Sequence, residues 1–509
     1  MGGAMAAHAL VGAGMDVLMI ERGVHVERGE HNWAPDAVLE LSPYYSEESY
    51  YVVRGDDPGR AGSFQCVGGP SVFYGGVALR MREVDFEPSL EIEADTEARW
   101  PLTYKDLAPY YLKAEQILGV AGRPGENKTD PPGVDSYPQI APEATGPARL
   151  MWNTAAALGL EPSHLPLAID FDGLGKDGAT CVRCGTCDGY ACGVGAKREP
   201  GTAVIPALLE KGLTLVANTV VARLLWRGGR VEGVVGIDRS TGRRRVFRGD
   251  RYVLAAGALG SPHLVLASGL EGASPASDWV GRCLMRHCNG IVYGLWPGGL
   301  EGTRAFHKQV GIFDHYGGAD GAPKLGCIQS IHPPPTGMIQ DRVPRVLGGL
   351  AEPLTDRCSG LLVIAEDQPR LENRVEVSRS RSGRYGIPRA IVTHRYSRRD
   401  LEGRKRLARV ARKVVRAAGA RVTHTFPIRT FSHAVGTLRM GSDPSTSPLD
   451  ASSRFRGIDN LWVTDGSFMP RSGGVNPSLT IAANALRAAE AIARRAGVTP
   501  LEGVGEVVP

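Results

Sequence analysis

Apolar positions along this chain follow two spacings, and the switches between them mark out its elements. Residues 1–12, Met-Gly-Gly-Ala-Met-Ala-Ala-His-Ala-Leu-Val-Gly, are small and apolar and predict a tightly packed helix. Ala13-Gly14 is a turn, and Met15-Asp-Val-Leu-Met-Ile20 is a buried strand that ends at Glu21. Residues 24–60 read as polar and irregular. Trp100-Pro-Leu-Thr103 opens a helix running to residue 118, with Thr103 as its cap and Asp106 at its third position. A Pro/Gly-rich surface segment over 121–146 leads to a second helix near 147–158, whose proline suits a first turn. A helix over 203–211 and a strand over 213–217 follow. Residues 220–225 and 231–236 form an antiparallel pair, and 250–258 is a buried strand running into a glycine turn. Beyond residue 275 strand-like runs (291–296, 360–366, 373–378, 390–396) alternate with polar loops. A long helix over 398–418 then lines up Leu401, Ala408, Ala411 and Val415, with its arginines and lysines on a solvated face. An alanine-rich run, 477–495, is the last helix.

The opening helix, turn and strand read as the second half of a Rossmann β-α-β unit, with Glu21 placed to hold ribose hydroxyls. The acidic residue of such a unit falls about 18 residues after the third glycine of its fingerprint. That spacing makes Gly3 the third glycine, with Gly2 beside it, and puts the first two glycines and the first strand upstream of Met1. The fold expected is therefore α/β: a Rossmann-type dinucleotide-binding domain (first strand missing) with an α+β antiparallel-sheet substrate domain. Residues 1–274 and 431–509 are assigned to the first, residues 275–430 to the second.

Composition narrows the function classes. A chain of 509 residues with a net charge of +5 has no strong nucleic-acid signature. No apolar run reaches the roughly 20 residues of a membrane span, and the first twenty residues have the wrong flanks for a signal peptide. Nine cysteines, an odd number, do not read as a secreted disulfide framework, so a reducing, cytoplasmic location is expected. The 66 glycines suit many tight turns against a cofactor.

Three further stretches carry chemistry. In Gly68-Gly-Pro-Ser71-Val-Phe-Tyr74-Gly75-Gly76, paired glycines around Ser71 let backbone amides approach a pyrophosphate or a ring. Near the C-terminus stand His433-Ala-Val-Gly-Thr437, Asp465-Gly466-Ser467 and Gly473-Gly-Val-Asn476-Pro477-Ser478. Here a histidine sits in a Gly-rich turn and an asparagine on the mouth of a helix, whose partial positive charge suits an electron-rich ring edge. An imidazole in that place can take a proton from an alcohol while something else takes the hydride. The third stretch is Cys181-x-x-Cys184-x-x-Cys187-x-x-x-x-Cys192, which leaves an iron–sulfur cluster, zinc and a loop of packed thiols all open. No metal site is assigned.

Taken in order, these motifs resemble those of the glucose–methanol–choline (GMC) flavin oxidoreductases, over nearly the whole chain. The stretch from Gly257 through Ser261-Pro262 to Ser268-Gly269-Leu270 resembles that family's second signature, departing where Glu271 replaces a usual glycine. The resemblance implies FAD as cofactor, held by Gly2, Gly3, Glu21, Arg22, Gly68, Gly69, Ser71, Gly75, Gly76, Val221, Ala256, Gly257, Asp465, Gly466, Asn476, Pro477 and Ser478. Many relatives link the flavin covalently through a histidine; the matching position here is Phe73, which implies non-covalent FAD. His433 and Asn476 are implied as the catalytic pair, His433 taking the hydroxyl proton as hydride passes to flavin N5. The substrate implied is a small-molecule alcohol, a sugar or polyol, and the electron acceptor is oxygen, a quinone or a carrier. Val72-Phe-Tyr-Gly-Gly76, Arg99-Trp-Pro101 and Phe313-Asp-His-Tyr316 look like flavin dehydrogenases that oxidise a sugar hydroxymethyl in aminoglycoside assembly. Some dehydrogenases of the superfamily carry an iron–sulfur cluster just before Gly-Ala-Lys, here Gly195-Ala-Lys197. The alternative to an alcohol oxidoreductase is a truncated or electron-relay relative that uses the cysteine loop.

Overall fold

A computed structural model describes residues 1–174, 179–317, 324–342, 349 and 351–498, without the side chains of 47–50 and 341–342. Parallel strands build the nucleotide-binding part. Leu18–Ile20 pairs with Thr214–Val216, and Tyr252–Leu254 pairs with Leu461–Val463. The helix Gly2–Gly12 packs on the C-terminal helix Ser478–Arg495, which also packs on Tyr104–Leu118. Alanines 482, 483, 485, 488 and 489 are buried on that helix and allow close approach. Thr103 caps Tyr104–Leu118 as its sequence predicts, its N–H and hydroxyl both donating to Asp106 Oδ2 at 2.7 Å. Thr219–Arg227 and Arg230–Asp238 form the expected antiparallel pair, extended by Arg244–Phe247.

Over this lies a six-stranded antiparallel sheet in the order Val422–Pro427, Gly290–Leu295, Cys358–Ala365, Gly326–Ile331, Val310–Ile312, Pro162–His164. The helix Arg398–Ala417 crosses its back. Leu407, Ala408, Ala411, Val414 and Val415 of this helix share a core with Val292, Leu361 and Val363 of the sheet. Leu401, expected on the buried side, is only partly buried.

Several expectations need correction. Residues 24–60 are not irregular throughout: Tyr45–Gly55 and Gly59–Phe64 form a hairpin. Its strand pairs in parallel with Pro388–His394, which pairs in turn with Arg374–Ser382. The runs near 373–378 and 390–396 therefore belong to this separate four-stranded sheet and not to the helix-backed one. Tyr51 and Val53 are buried, but the polar residues among them hide the alternation. Both larger sheets draw strands from either side of residue 274, through Pro162–His164 in one and the hairpin in the other. Strands Val310–Ile312 and Gly326–Ile331 escape sequence reading because both their faces are buried, which removes the period of two. Among the described residues, no helix is long and apolar enough to cross a membrane.

Candidate active site

A cavity of about 2620 Å³ opens between the parallel strands and the six-stranded sheet. It exceeds the about 300–1,000 Å³ usual for a small ligand, as suits a dinucleotide sharing space with a second reactant. Of the residues expected at a cofactor, Gly2, Gly3, Glu21, Arg22, Gly68, Gly69, Ser71, Gly75, Val221, Ala256, Gly257, Asp465, Gly466, Asn476, Pro477 and Ser478 all line it. Gly76 does not; it packs on Ile169, where an added Cβ would lie 3.0 Å from the side chain.

The cradle is built for close backbone approach. A Cβ on Gly2 would stand 2.0 Å from the Thr464 carbonyl, so the helix start and the strand end can meet only with glycine there. Gly68 has φ of 101°, a left-handed conformation that strains other residues. Asp465 ties two loops together: its Oδ2 accepts from Gly257 N–H at 3.0 Å and from the Ser261 hydroxyl, and its Oδ1 from Ser467 N–H at 2.9 Å. Glu21 accepts from Gly23 N–H at 2.8 Å, and burial pushes its carboxyl above the usual range. Arg22 Nε and Nη2 are buried without a protein partner, which suits an anionic or oxygen-rich group in the cavity. The N-terminus of Ser478–Arg495 also opens onto it. These features fit an FAD. Phe73 stacks on Phe64 with ring centroids 4.0 Å apart and offers no imidazole for a covalent link.

His433 and Asn476 lie on the same cavity. An antiparallel bridge joins Met285 and Val435, and continuing that register places His287 across from His433. Their Nδ1 atoms are 2.9 Å apart. Although the edge of His433 opens on the cavity, protein surrounds the ring; burial first, then nearby positive charge, Lys308 included, push it down to about 3. It is therefore neutral at any ordinary working pH. Asn476 is held by Gln329 of the six-stranded sheet, whose Nε2 donates to Asn476 Oδ1 at 2.7 Å, leaving the Asn476 NH2 as a donor. The same cavity is lined by Asn289, whose Nδ2 is 3.4 Å from His433 Nδ1, and by Lys308, His332 and Asp188, with Lys308 Nζ and His332 Nδ1 each 3.4 Å from the Asp188 carboxylate. Burial opposes that carboxylate's charge, but Lys308 and His332 hold it well below the usual range. Sequence reading missed His287, Gln329, Lys308 and Asp188. None carries a local signal, since their partners lie more than 100 residues away.

The cysteine loop is organised by a lysine. Lys197 Nζ donates to the carbonyls of Tyr74, Cys187 and Tyr190 at 2.7, 2.8 and 2.7 Å. Burial pushes the Cys187 thiol well above its ordinary value and that of Cys181 up to about 11. Among the described residues no three Cys, His, Asp or Glu side chains converge as metal ligands.

Buried histidines should make the protein acid-sensitive. Burial pushes both His433 and His307 down to about 3, from 6.5, and lowers His8, His263 and His394 in the same direction. Between 6.5 and those values the unfolded chain binds more protons, so stability rises with pH and is lost on acidification. The loss is about 1.4 kcal/mol per pH unit for each fully displaced histidine. The urea midpoint should fall between pH 6.5 and 4.5, and less steeply in His307→Asn; identical slopes would contradict the assignment.

A nucleotide cradle at the ends of parallel strands, beside a histidine and an asparagine under a second sheet, defines a dinucleotide-dependent oxidoreductase. Comparison with known proteins agrees. Residues 166–289 and 369–485 each match a model of the GMC oxidoreductase family. The chain is similar to paromamine 6'-oxidase of Streptomyces fradiae, 31% identical over 96% of this chain and 89% of that protein. It is 32% identical to 6'''-hydroxyparomomycin C oxidase of Streptomyces lividus, with the same coverage. A pyridoxine 4-oxidase from Mesorbium loti shares the fold, with a TM-score of 0.67, 19% identity and 97% of each chain covered. The chain belongs to the GMC oxidoreductase family and is an FAD-dependent enzyme.

Proposed function

We propose that the chain oxidises a CH–OH group of a sugar or polyol to an aldehyde or ketone, with His433 as general base and Asn476 orienting the same oxygen. The observation that carries this reading is the convergence, on one cavity, of an imidazole kept neutral and an amide whose oxygen is already engaged by Gln329. The neutral ring can accept the hydroxyl proton, and the amide can donate to the developing alkoxide without competing for that proton. FAD, when bound, supplies the hydride acceptor. Asn289, Lys308 and Asp188 give the cavity polar groups that suit a hydroxyl-rich substrate. The two relatives named above act, by their names, on aminoglycosides, which supports a sugar alcohol here. Nine unpaired cysteines accord with a reducing, cytoplasmic setting.

The test is anaerobic mixing of the FAD-loaded protein with sugars, aminoglycoside alcohols and polyols. Loss of the flavin's visible absorbance with at least one of them is expected. A flavin that dithionite bleaches but none of these alcohols does would favour the electron-relay alternative. Asn476→Ala should slow the reductive step by about 10²-fold, the lower end for a lost oxyanion donor. Gln329→Leu, which frees the amide to rotate, should slow it less, with FAD content unchanged in both; stopped-flow absorbance and FAD quantification check this.

A further inference from the structure

We infer that His287, behind His433 and out of the cavity, fixes the tautomer of the catalytic histidine and so aims its lone pair at the substrate. The inference rests on the reading of His433 as the base. His287 Nε2 lies 2.9 Å from the Gly473 carbonyl oxygen and 3.2 Å from that of Ser472. Carbonyl oxygens only accept, so this nitrogen carries a hydrogen. Taken as neutral, His287 has a single N–H, which leaves its Nδ1 as a lone pair. His433 Nδ1 stands 2.9 Å from it, and two lone pairs do not face each other at that distance. His433 Nδ1 therefore carries the hydrogen and donates it, His433 Nε2 keeps the lone pair, and the Asn289 amide, whose Nδ2 is placed 3.4 Å from Nδ1, turns its otherwise unpartnered oxygen toward that hydrogen. The opposite arrangement, with neutral rings, would turn the His287 Nε2 lone pair against two carbonyl oxygens.

The fold holds His287 in place for this. Its φ of 56° is left-handed, a conformation uncommon outside glycine that histidine, like asparagine and aspartate, takes more readily than most residues. Asp367 pins that conformation: Oδ2 accepts from Arg286 N–H at 2.8 Å and Oδ1 from His287 N–H at 3.1 Å, and Oδ1 also accepts from the Ser472 hydroxyl at 2.8 Å. The Tyr396 hydroxyl donates to the His287 carbonyl at 2.8 Å. The carbonyls that set the His287 proton belong to residues 472 and 473, on the loop that goes on to Asn476. One buried ring thus couples the position of the loop bearing the amide to the protonation of the base. When His433 Nε2 takes up the substrate proton, its Nδ1–H still donates to His287, so the transient cation keeps an acceptor. His287 is a positioning residue.

The direct test is a long-range ¹H–¹⁵N spectrum of FAD-loaded protein labelled with ¹⁵N-histidine, the His433 signals being identified by their loss in His433→Gln. A protonated Nδ1 and an unprotonated Nε2 are expected at His433; the reverse pattern would overturn the inference. His287→Asn can adopt the left-handed backbone and still offer an amide oxygen to His433, so it should keep the wild-type tautomer and most of the rate. His287→Phe, with no acceptor, should lose the fixed tautomer and slow reduction by a sugar alcohol at least about tenfold, below the ~10⁴-fold loss known for a wrong-tautomer histidine. Equal rates for wild type and His287→Phe, with FAD content and melting temperature unchanged, would also overturn it. Failure of the underlying reading looks different: His433→Ala would then keep its rate whatever the tautomer.

Discussion

Replacing His433 by alanine is expected to slow flavin reduction by the substrate alcohol roughly 10²–10⁴-fold, the usual loss for a general base, while FAD remains bound. The ring is neutral in the resting site because burial first, and then nearby positive charge such as Lys308, opposes its protonation. It is therefore ready to accept a proton without first releasing one. The same environment makes it a weak base, so proton uptake is favourable only as negative charge develops on the substrate oxygen. The activity of the wild-type enzyme should accordingly lack an acid limb near the ordinary histidine value of 6.5, and should be lost only as pH falls toward 3 or the fold fails first. Stopped-flow reduction across pH 5–8 measures both points. A His433→Ala protein that reduces its flavin at close to the wild-type rate would move the base elsewhere.

The second large effect expected is structural. Lys324→Met should destabilise the protein by about 3–5 kcal/mol, the range found when one member of a buried ion pair is removed. Lys324 lies between two buried carboxylates: its Nζ contacts Asp85 Oδ1 and is 2.7 Å from Glu366 Oε2. Arg471 is 3.4 Å from the other Glu366 oxygen. Burial alone would raise the Glu366 carboxyl, but Lys324 first, then Arg471 and Arg399, hold it at about 2. The stability it contributes is present above its unfolded value of 4.5 and is lost as pH falls toward 2. The gap between wild type and Lys324→Met, read from urea midpoints, should therefore narrow over that window. The network also reaches the site. Asp85 Oδ2 accepts from the Tyr316 hydroxyl at 2.7 Å, and that oxygen accepts from Gly474 N–H at 3.0 Å, two residues before Asn476. Loss of rate should accompany the loss of stability. A variant with unchanged urea midpoints at pH 7 would mean that the two carboxylates find other countercharge.

How much of this was legible beforehand depends on whether the signal was local. The glycines at 2, 68 and 257, the acidic strand end at Glu21, and the His433 and Asn476 motifs are readable because tight turns and helix mouths demand particular residues at fixed offsets. Helices such as Tyr104–Leu118 and Arg398–Ala417 are readable because their caps and apolar stripes repeat at helical spacing. Gly76 shows the limit of motif reading: it continues the glycine pattern, yet its job is packing against Ile169.

The sequence by itself thus determined the class of fold, the family and two residues, His433 and Asn476, that line the cavity, since each follows from short-range backbone constraints. Only the tertiary structure decided what surrounds them. The hairpin at Tyr45–Gly55 becomes a strand because Pro388–His394 offers its edge, some 340 residues later. Within the loop of Cys181, Cys184, Cys187 and Cys192, the Lys197 ammonium binds the carbonyls of Cys187 and Tyr190 and ties them to that of Tyr74, more than 110 residues earlier. His287 meets His433 because one antiparallel bridge sets their register, 146 residues apart along the chain. Hydrogen-bond partners, burial and the resulting protonation states depend on which distant segments are brought together, and no local pattern of residues records that.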